Sequence, residues 1–352
     1  MILMQINVDT KREGIHEKHH ILWLDLLKIL ACFLVVVNHS GSWLLVYGGY
    51  NNISVLFYSI SFAICKIGVP LFLMTSGYLL LQKEWDYSYI KKRVFRIVVP
   101  LLLVSLYLYI EQNNLDSNFI FTILENPMKL AYWYLYMLIG LYFMLPFVKK
   151  MIKEFLVNDY RALITLALLI PGTISAIQSL FHLKISEYFS MAIIPYPLIY
   201  CVTGYYLSMV ELNKRNRNIA LISFIISIIV FILSLYLPFL SNQEISYALD
   251  SSFKITTILP AMSVFYLFRY YFCHREFKQY QMKCITEVSL CTFGIYLLHC
   301  LYIIKLYKFS IIQRIFCFSS FAGIISLQVA VFVYCGFITF CLRRIPIVKK
   351  FL

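Results

Sequence analysis

Apolar stretches long enough to cross a bilayer follow one another through this chain with little polar sequence between them. Ten can be read, at roughly 21–46, 53–82, 90–111, 130–149, 161–181, 189–210, 218–240, 252–272, 289–308 and 318–342. A hydrocarbon core about 30 Å thick needs about 20 apolar residues in a helix. Inside lipid only helices and closed barrels satisfy their own backbone hydrogen bonds. The pattern therefore predicts an all-α integral membrane protein, a bundle of about ten transmembrane helices. No long polar insert interrupts it, so one membrane domain is expected at 21–343, between a polar tail at 1–20 and a basic tail at 344–352.

Charge decides orientation. Only 14% of residues are charged and 61% are hydrophobic, against about 25% charged in a soluble domain. The net charge of +14 raises the question of nucleic acid, but the cations sit between spans. Lys28 and Lys66 fall within spans, and Lys129, Lys184, Lys254, Lys305, Lys308 and Arg314 fall on one side. All the remaining Lys and Arg fall on the other. The positive-inside rule then puts both termini in the cytoplasm, and the charge faces anionic head groups rather than nucleic acid. The basic 305–314 loop is the misfit. The 28 Tyr and 29 Phe suit aromatic belts at the membrane surfaces. The ten cysteines show no CxxC or Cys/His metal spacing and read as small packing residues. The first 20 residues are polar, and the stretch after them is too long for the core of a cleavable signal.

Ionisable residues inside spans are costly and mark function by default. The first span, "ILWLDLLKILACFLVVVNHS", carries Asp25, Lys28 and His39. Lys28 and His39 are 11 residues apart, which brings them within about 20° on one helix face and about 16 Å apart along it. Asp25 lies within about 40° of the same stripe. The third span opens "YIKKRVFRIVVP", where Arg93 and Arg96 share a face at the cytoplasmic entry. They read either as a snorkelling anchor or as guanidiniums that converge with Lys28 on phosphate. In the second span Lys66 lies too deep to snorkel easily. Gly68 and Pro70 after it predict a kinked or broken helix whose freed carbonyls suit a cavity lining. Ser76 and Tyr78, in a Ser-Gly-Tyr step near the cytoplasmic end, are further candidates. His299, mid-span in "FGIYLLHC", reads as a hydrogen-bonded core residue or as a catalyst. His182, His274 and the tail histidines His16, His19 and His20 read as solvated. No HExxH, Walker loop, GxSxG or GxGxxG pattern is present, against a metalloprotease, NTPase or serine hydrolase of the usual kinds.

The stretches "LDLLKILACFLVVVNHS", "VPLFLMTSGYLL", "KKRVFRIVVPLLLVS", "YWYLYMLIGLYFMLPFV" and "FGIYLLHCLYI" stand in an order and spacing that resemble the membrane-bound acyltransferase 3 family. That family includes O-acetyltransferases of bacterial surface polysaccharides. Its Arg-or-Lys-x10-His pattern falls on Lys28 and His39, its RxxR pattern on Arg93 and Arg96, and a frequent cation before the VPLFF stretch on Lys66. The resemblance implies that His39 is catalytic and that the basic residues handle an acyl-CoA co-substrate, usually acetyl-CoA, with no bound cofactor. Lysine at position 28 keeps the charge of the family's arginine and loses its bidentate fork.

The implied enzyme sits in a bacterial plasma membrane. It moves an acyl group from cytosolic acyl-CoA to a surface glycan or an undecaprenyl-linked saccharide. His39 acts as general base toward a sugar hydroxyl or as an acyl carrier, and Lys66 faces the oxyanion or binds the donor. Glu111, with Asp116 and Glu187 as alternatives, is a carboxylate to hold the imidazole's tautomer. Some relatives add a hydrolase-like domain after the spans; here the chain runs only to 352, and transfer is expected to finish within the membrane domain. A polysaccharide flippase, transporter or polymerase is the rival reading. Against it stand the absence of repeated halves and of a large outer loop, the longest being 112–129.

Overall fold

The computed structural model describes residues 21–83, 87–111, 119–125, 127, 130–183, 195–241 and 243–352. The tail 1–20, Asp116, Lys129, Lys184 and Glu187 lie outside them. Among the described residues there are helices and no strand. Eight helices among the described residues are long and apolar enough to cross a membrane: Leu22–Ser40, Asn52–Leu81, Ser88–Glu111, Trp133–Lys153, Val157–Phe181, Lys214–Leu240, Gln279–Tyr307 and Ser320–Leu342. The stretches expected at 189–210 and 252–272 hold shorter helices, Tyr196–Met209 and Ile255–Phe272. The first is preceded by Pro195 and residues outside the description, and the second carries Pro260 and Arg269.

The outer faces of these helices are unfit for water. Ile226 is 57% exposed and Phe337 65%, and both sit among other exposed aliphatic and aromatic side chains. Large contiguous apolar surface of this kind belongs against lipid. The chain is a multi-pass membrane protein.

Two compact units are distinguished, one comprising residues 1–83 and 151–289, the other 84–150 and 290–352. In the first unit the expected interruption of the second span falls at Lys66–Ile67, between the helices Asn52–Cys65 and Gly68–Leu81. Gly68 brings the break against the first helix, where an added Cβ would meet the Ala31 carbonyl and the Leu34 and Val35 side chains. Pro70 adds a residue that cannot donate to the helix ladder. Pro171 likewise coincides with a π-helical turn, Leu168–Ile174, inside Val157–Phe181.

Gly68–Leu81 packs face to face on Tyr196–Met209 through two glycines. A Cβ on Gly77 would overlap the backbone of Cys201, and one on Gly204 the backbone of Met74. Between helices in lipid, small residues allow this close approach, and dispersion and packing then hold the pair. Gly77→Ala and Gly204→Ala should each destabilise the detergent-solubilised protein by about 1–3 kcal/mol. Gly140→Ala, where a Cβ meets nothing within 4 Å, serves as the neutral control in the same thermal melt. Equal melting temperatures for all three variants would contradict the close crossing.

In the second unit, Gly294 lies against Thr339 and Gly323 against Phe316, which tightens the helices that carry them. Tyr132 donates to the Leu297 carbonyl at 2.8 Å, and Tyr296 donates to that of Ala131. These bonds pin the start of Trp133–Lys153 to the span that contains His299.

Candidate functional site

The first unit holds His39, Lys28, Asp25 and Lys66. His39 lies in the last turn of the helix Leu22–Ser40, whose C-cap Gly41 is still in helical conformation. Beside it, Ser40 Oγ donates back to the Val36 carbonyl at 2.7 Å, closing the helix end; the imidazole is half-buried. The Lys66 ammonium is close enough to act electrostatically on His39. Lys66 sits where the second span breaks. Its Nζ lies 2.7 Å from Asp250 Oδ1 and 4.0 Å above the Phe62 ring. The Cys65 thiol, next in sequence, donates to Asn38 Oδ1 at 3.5 Å. The broken helix and the end of the first helix are thus tied together around His39 and Lys66.

Lower on the first helix, Lys28 Nζ lies 3.0 Å from Asp25 Oδ1. Asp25 is only 2% exposed and also accepts from Ser289 Oγ at 2.6 Å. A buried carboxylate needs such partners. Two of the three ionisable residues of the first span therefore form one network, which holds the Lys28 ammonium on its helix face while leaving it a quarter exposed.

Of the remaining candidates in this unit, the half-buried Tyr78 ring packs edge-on against Trp23 at 5.3 Å. The Arg269 guanidinium acts electrostatically on the Tyr78 hydroxyl. Ser76 is half-buried one turn before the end of Gly68–Leu81.

The second unit holds Arg93, Arg96, Glu111 and His299. Arg93 Nη2 donates to Tyr89 Oη at 2.6 Å, and the guanidinium lies over the Tyr89 and Tyr142 rings at 4.8 and 5.8 Å. Aromatic stacking of this kind holds a guanidinium in a fixed plane. Its Nε, which is buried, has no hydrogen-bond partner among the described residues. Arg96 Nη2 donates to the Leu352 main-chain oxygen at 2.9 Å. The Arg343 guanidinium lies near enough to Arg96 to oppose its charge. Cations gathered this closely are the arrangement that polyanionic ligands neutralise.

Glu111 ends the helix Tyr87–Glu111, and its Oε1 lies 3.0 Å from Lys305 Nζ. Lys305 also donates to Tyr107 Oη at 2.8 Å. The carboxylate is thereby committed within its own unit, and part of the misfit charge at 305–314 is balanced there. His299 is wholly buried, with Nδ1 2.6 Å from the Tyr296 carbonyl and Nε2 3.2 Å from Cys300 Sγ.

Several residues in these networks carry no signal in the sequence. Asp250 lies in a short polar connection that looks like any loop, Ser289 is one of many serines, and Tyr89 and Tyr142 are two of 28 tyrosines. Arg343 closes the last span as an ordinary tail cation. Only the i, i+4 spacing of Tyr89 and Arg93 offers a hint of pairing.

Together, the apolar helices and the histidine-and-cation networks within them define the class, a multi-pass helical membrane protein with ionisable groups held inside its spans. The sequence profile of the acyltransferase 3 family, described as an acyltransferase domain, matches residues 21–342. The chain belongs to that family, and its general activity is acyl transfer in a membrane. No curated protein and no solved structure matches it.

Proposed function

We propose that this protein is an O-acyltransferase of the bacterial plasma membrane. It transfers an acyl group, acetyl in the first instance, from cytosolic acyl-CoA to a hydroxyl of a surface glycan or its undecaprenyl-linked precursor. The acyltransferase region is 21–343, between polar tails. Its ten membrane passages, two of them made by the shorter helices, leave both termini in the cytoplasm. The observation that carries the reading is the half-buried His39 at the end of a spanning helix, with the Lys66 ammonium acting electrostatically on it, in a chain of this family.

In the proposed reaction His39 takes the proton from the sugar hydroxyl as that oxygen attacks the thioester carbonyl. The C–O bond forms, negative charge gathers on the carbonyl oxygen, and Lys66 faces it. The C–S bond then breaks, and CoA leaves as the thiol with the proton returned from the imidazolium. Arg93 and Arg96 bind the anionic CoA head. Lys28, on the His39 face about 16 Å lower, contributes charge along the pantetheine arm, which has a comparable reach. Glu111, whose carboxylate lies 3.0 Å from Lys305 Nζ, is the carboxylate that holds the imidazole's tautomer in this scheme.

Membranes containing the protein, incubated with acetyl-CoA labelled in the acetyl group, should yield alkali-labile label in the host glycan lipids. Succinyl-CoA in parallel tests the acyl preference. Label in neither, against an active family member run alongside, removes the acyl-CoA-to-glycan reading.

A further inference from the structure

The connection between Lys214–Leu240 and Ile255–Phe272 is anchored along most of its length. Leu249 is fully buried in an apolar cluster with Ala63, Ala176, Phe231 and Leu235. Tyr247 Oη lies 3.1 Å from Tyr58 Oη, and its ring packs edge-on against Phe62 at 5.5 Å. Lys254 donates to Ser179 Oγ at 2.7 Å and to the Ala248 carbonyl. The Phe253 ring meets that of Tyr196 at 5.0 Å. Asp250 sits among these anchors, its N–H donating to the Tyr247 carbonyl at 2.9 Å. A short polar connection with no tertiary role would not be tied to helices Asn52–Cys65, Ser175–Phe181 and Tyr196–Met209 at once.

What this anchoring delivers is a carboxylate. Asp250 Oδ1 lies 2.7 Å from Lys66 Nζ; the Lys66 ammonium acts electrostatically on His39, and the neighbouring Cys65 thiol ties the two segments through Asn38 Oδ1 at 3.5 Å. A lysine ammonium is a point charge on a flexible four-carbon stem. The Lys66 backbone N–H donates to the Phe62 carbonyl at 3.4 Å, but this fixes the main chain and not the long side chain, which the Phe62 face at 4.0 Å limits on one side. The carboxylate supplies direction. Lys254 acts electrostatically on the same carboxylate from within the loop, so Asp250 also offsets two cations in a setting where unpaired charge is costly.

We propose that Asp250 is a positioning residue of the transfer reaction, brought to the break in the second span by an anchored connection to hold the Lys66 ammonium beside His39. This rests on the function proposed above. Asp250 touches neither substrate in this scheme; it acts through Lys66. Its removal therefore lowers the rate of the chemical step and leaves donor binding alone.

The test compares Asp250→Asn, Asp250→Glu, Lys66→Met and the double variant Lys66→Met/Asp250→Asn in membranes at equal expression, with labelled acetyl-CoA as donor. Asp250→Asn should lower kcat about tenfold to a hundredfold, the scale of a misplaced catalytic group, with KM for acetyl-CoA unchanged. Asp250→Glu should recover part of the loss. The double variant should be no slower than Lys66→Met, because Asp250 has nothing left to position; removing both charges also leaves neither stranded, so it keeps the comparison valid if Asp250→Asn folds poorly. A further slowing of the double variant by the full single-variant factor would overturn the proposal, as would an Asp250→Asn protein as fast as the parent. A parent that transfers no acyl group would instead overturn the proposed function, and this role with it.

Discussion

Replacing His39 with alanine is expected to reduce acetyl transfer by about 10²–10⁴-fold, the contribution of a positioned general base, with KM for acetyl-CoA essentially unchanged. The separation of effects follows from the placement of the groups. The Arg93 guanidinium is held by Tyr89 and Tyr142 and that of Arg96 by the Leu352 main-chain oxygen, contacts that truncating the imidazole does not remove. The substitution leaves the helix Leu22–Ser40 closed, because the Ser40 back-bond to Val36 does not involve the imidazole. His39→Gln, which keeps much of the volume and loses the titratable nitrogen, should be as inactive as His39→Ala. Measurement of alkali-labile label in glycan lipids at equal expression decides it. Undiminished label with either variant removes His39 from the chemistry and leaves the family assignment standing.

The second large effect is expected at Arg93, and it should appear in KM instead. Arg93→Lys keeps the charge but loses the planar fork, the bond to Tyr89 Oη at 2.6 Å and the stacking on the Tyr89 and Tyr142 rings. One charge-assisted hydrogen bond is worth about 1.5–3 kcal/mol. KM for acetyl-CoA should therefore rise roughly tenfold to a hundredfold, with kcat changed much less. Tyr89→Phe, which removes the hydroxyl and keeps the ring, should cost a smaller part of the same affinity. Purified protein titrated with CoA gives the binding constant without the acceptor. Unchanged CoA affinity in Arg93→Lys would mean that this guanidinium is a membrane-surface anchor, the simpler reading of its position.

The membrane class was legible in the chain because hydrophobic length is a local property. Twenty apolar residues in a row announce a span wherever they fold, and eight of the expected stretches hold helices of that length and composition. Among the described residues two do not: Tyr196–Met209 begins after Pro195, and Ile255–Phe272 carries Pro260 and Arg269. The Lys66 break was legible for the same local reason, as a glycine and a proline close together interrupt a helix whatever surrounds it. The family was legible too, because its motifs are short and lie in order along the chain.

The partners of the charged residues were not. Helical spacing places Lys28 and His39 on one face and Arg93 beside Arg96, but it cannot say what meets that face. Asp250 reaches Lys66 from 184 positions away, by the residue numbers of the pair, and Ser289 reaches Asp25 from 264. Glu111 has the depth to serve an imidazole, yet its carboxylate lies against Lys305. Ion pairs depend on distance in space and on how little water remains between the charges, and both are set by how the helices pack. The sequence by itself determined that this chain lies in a membrane, where its spans fall and which ionisable side chains they carry. The tertiary structure alone decided which distant groups meet those charges, as Asp250 meets Lys66 and Ser289 meets Asp25, because contacts between distant segments form only when the helices close on one another.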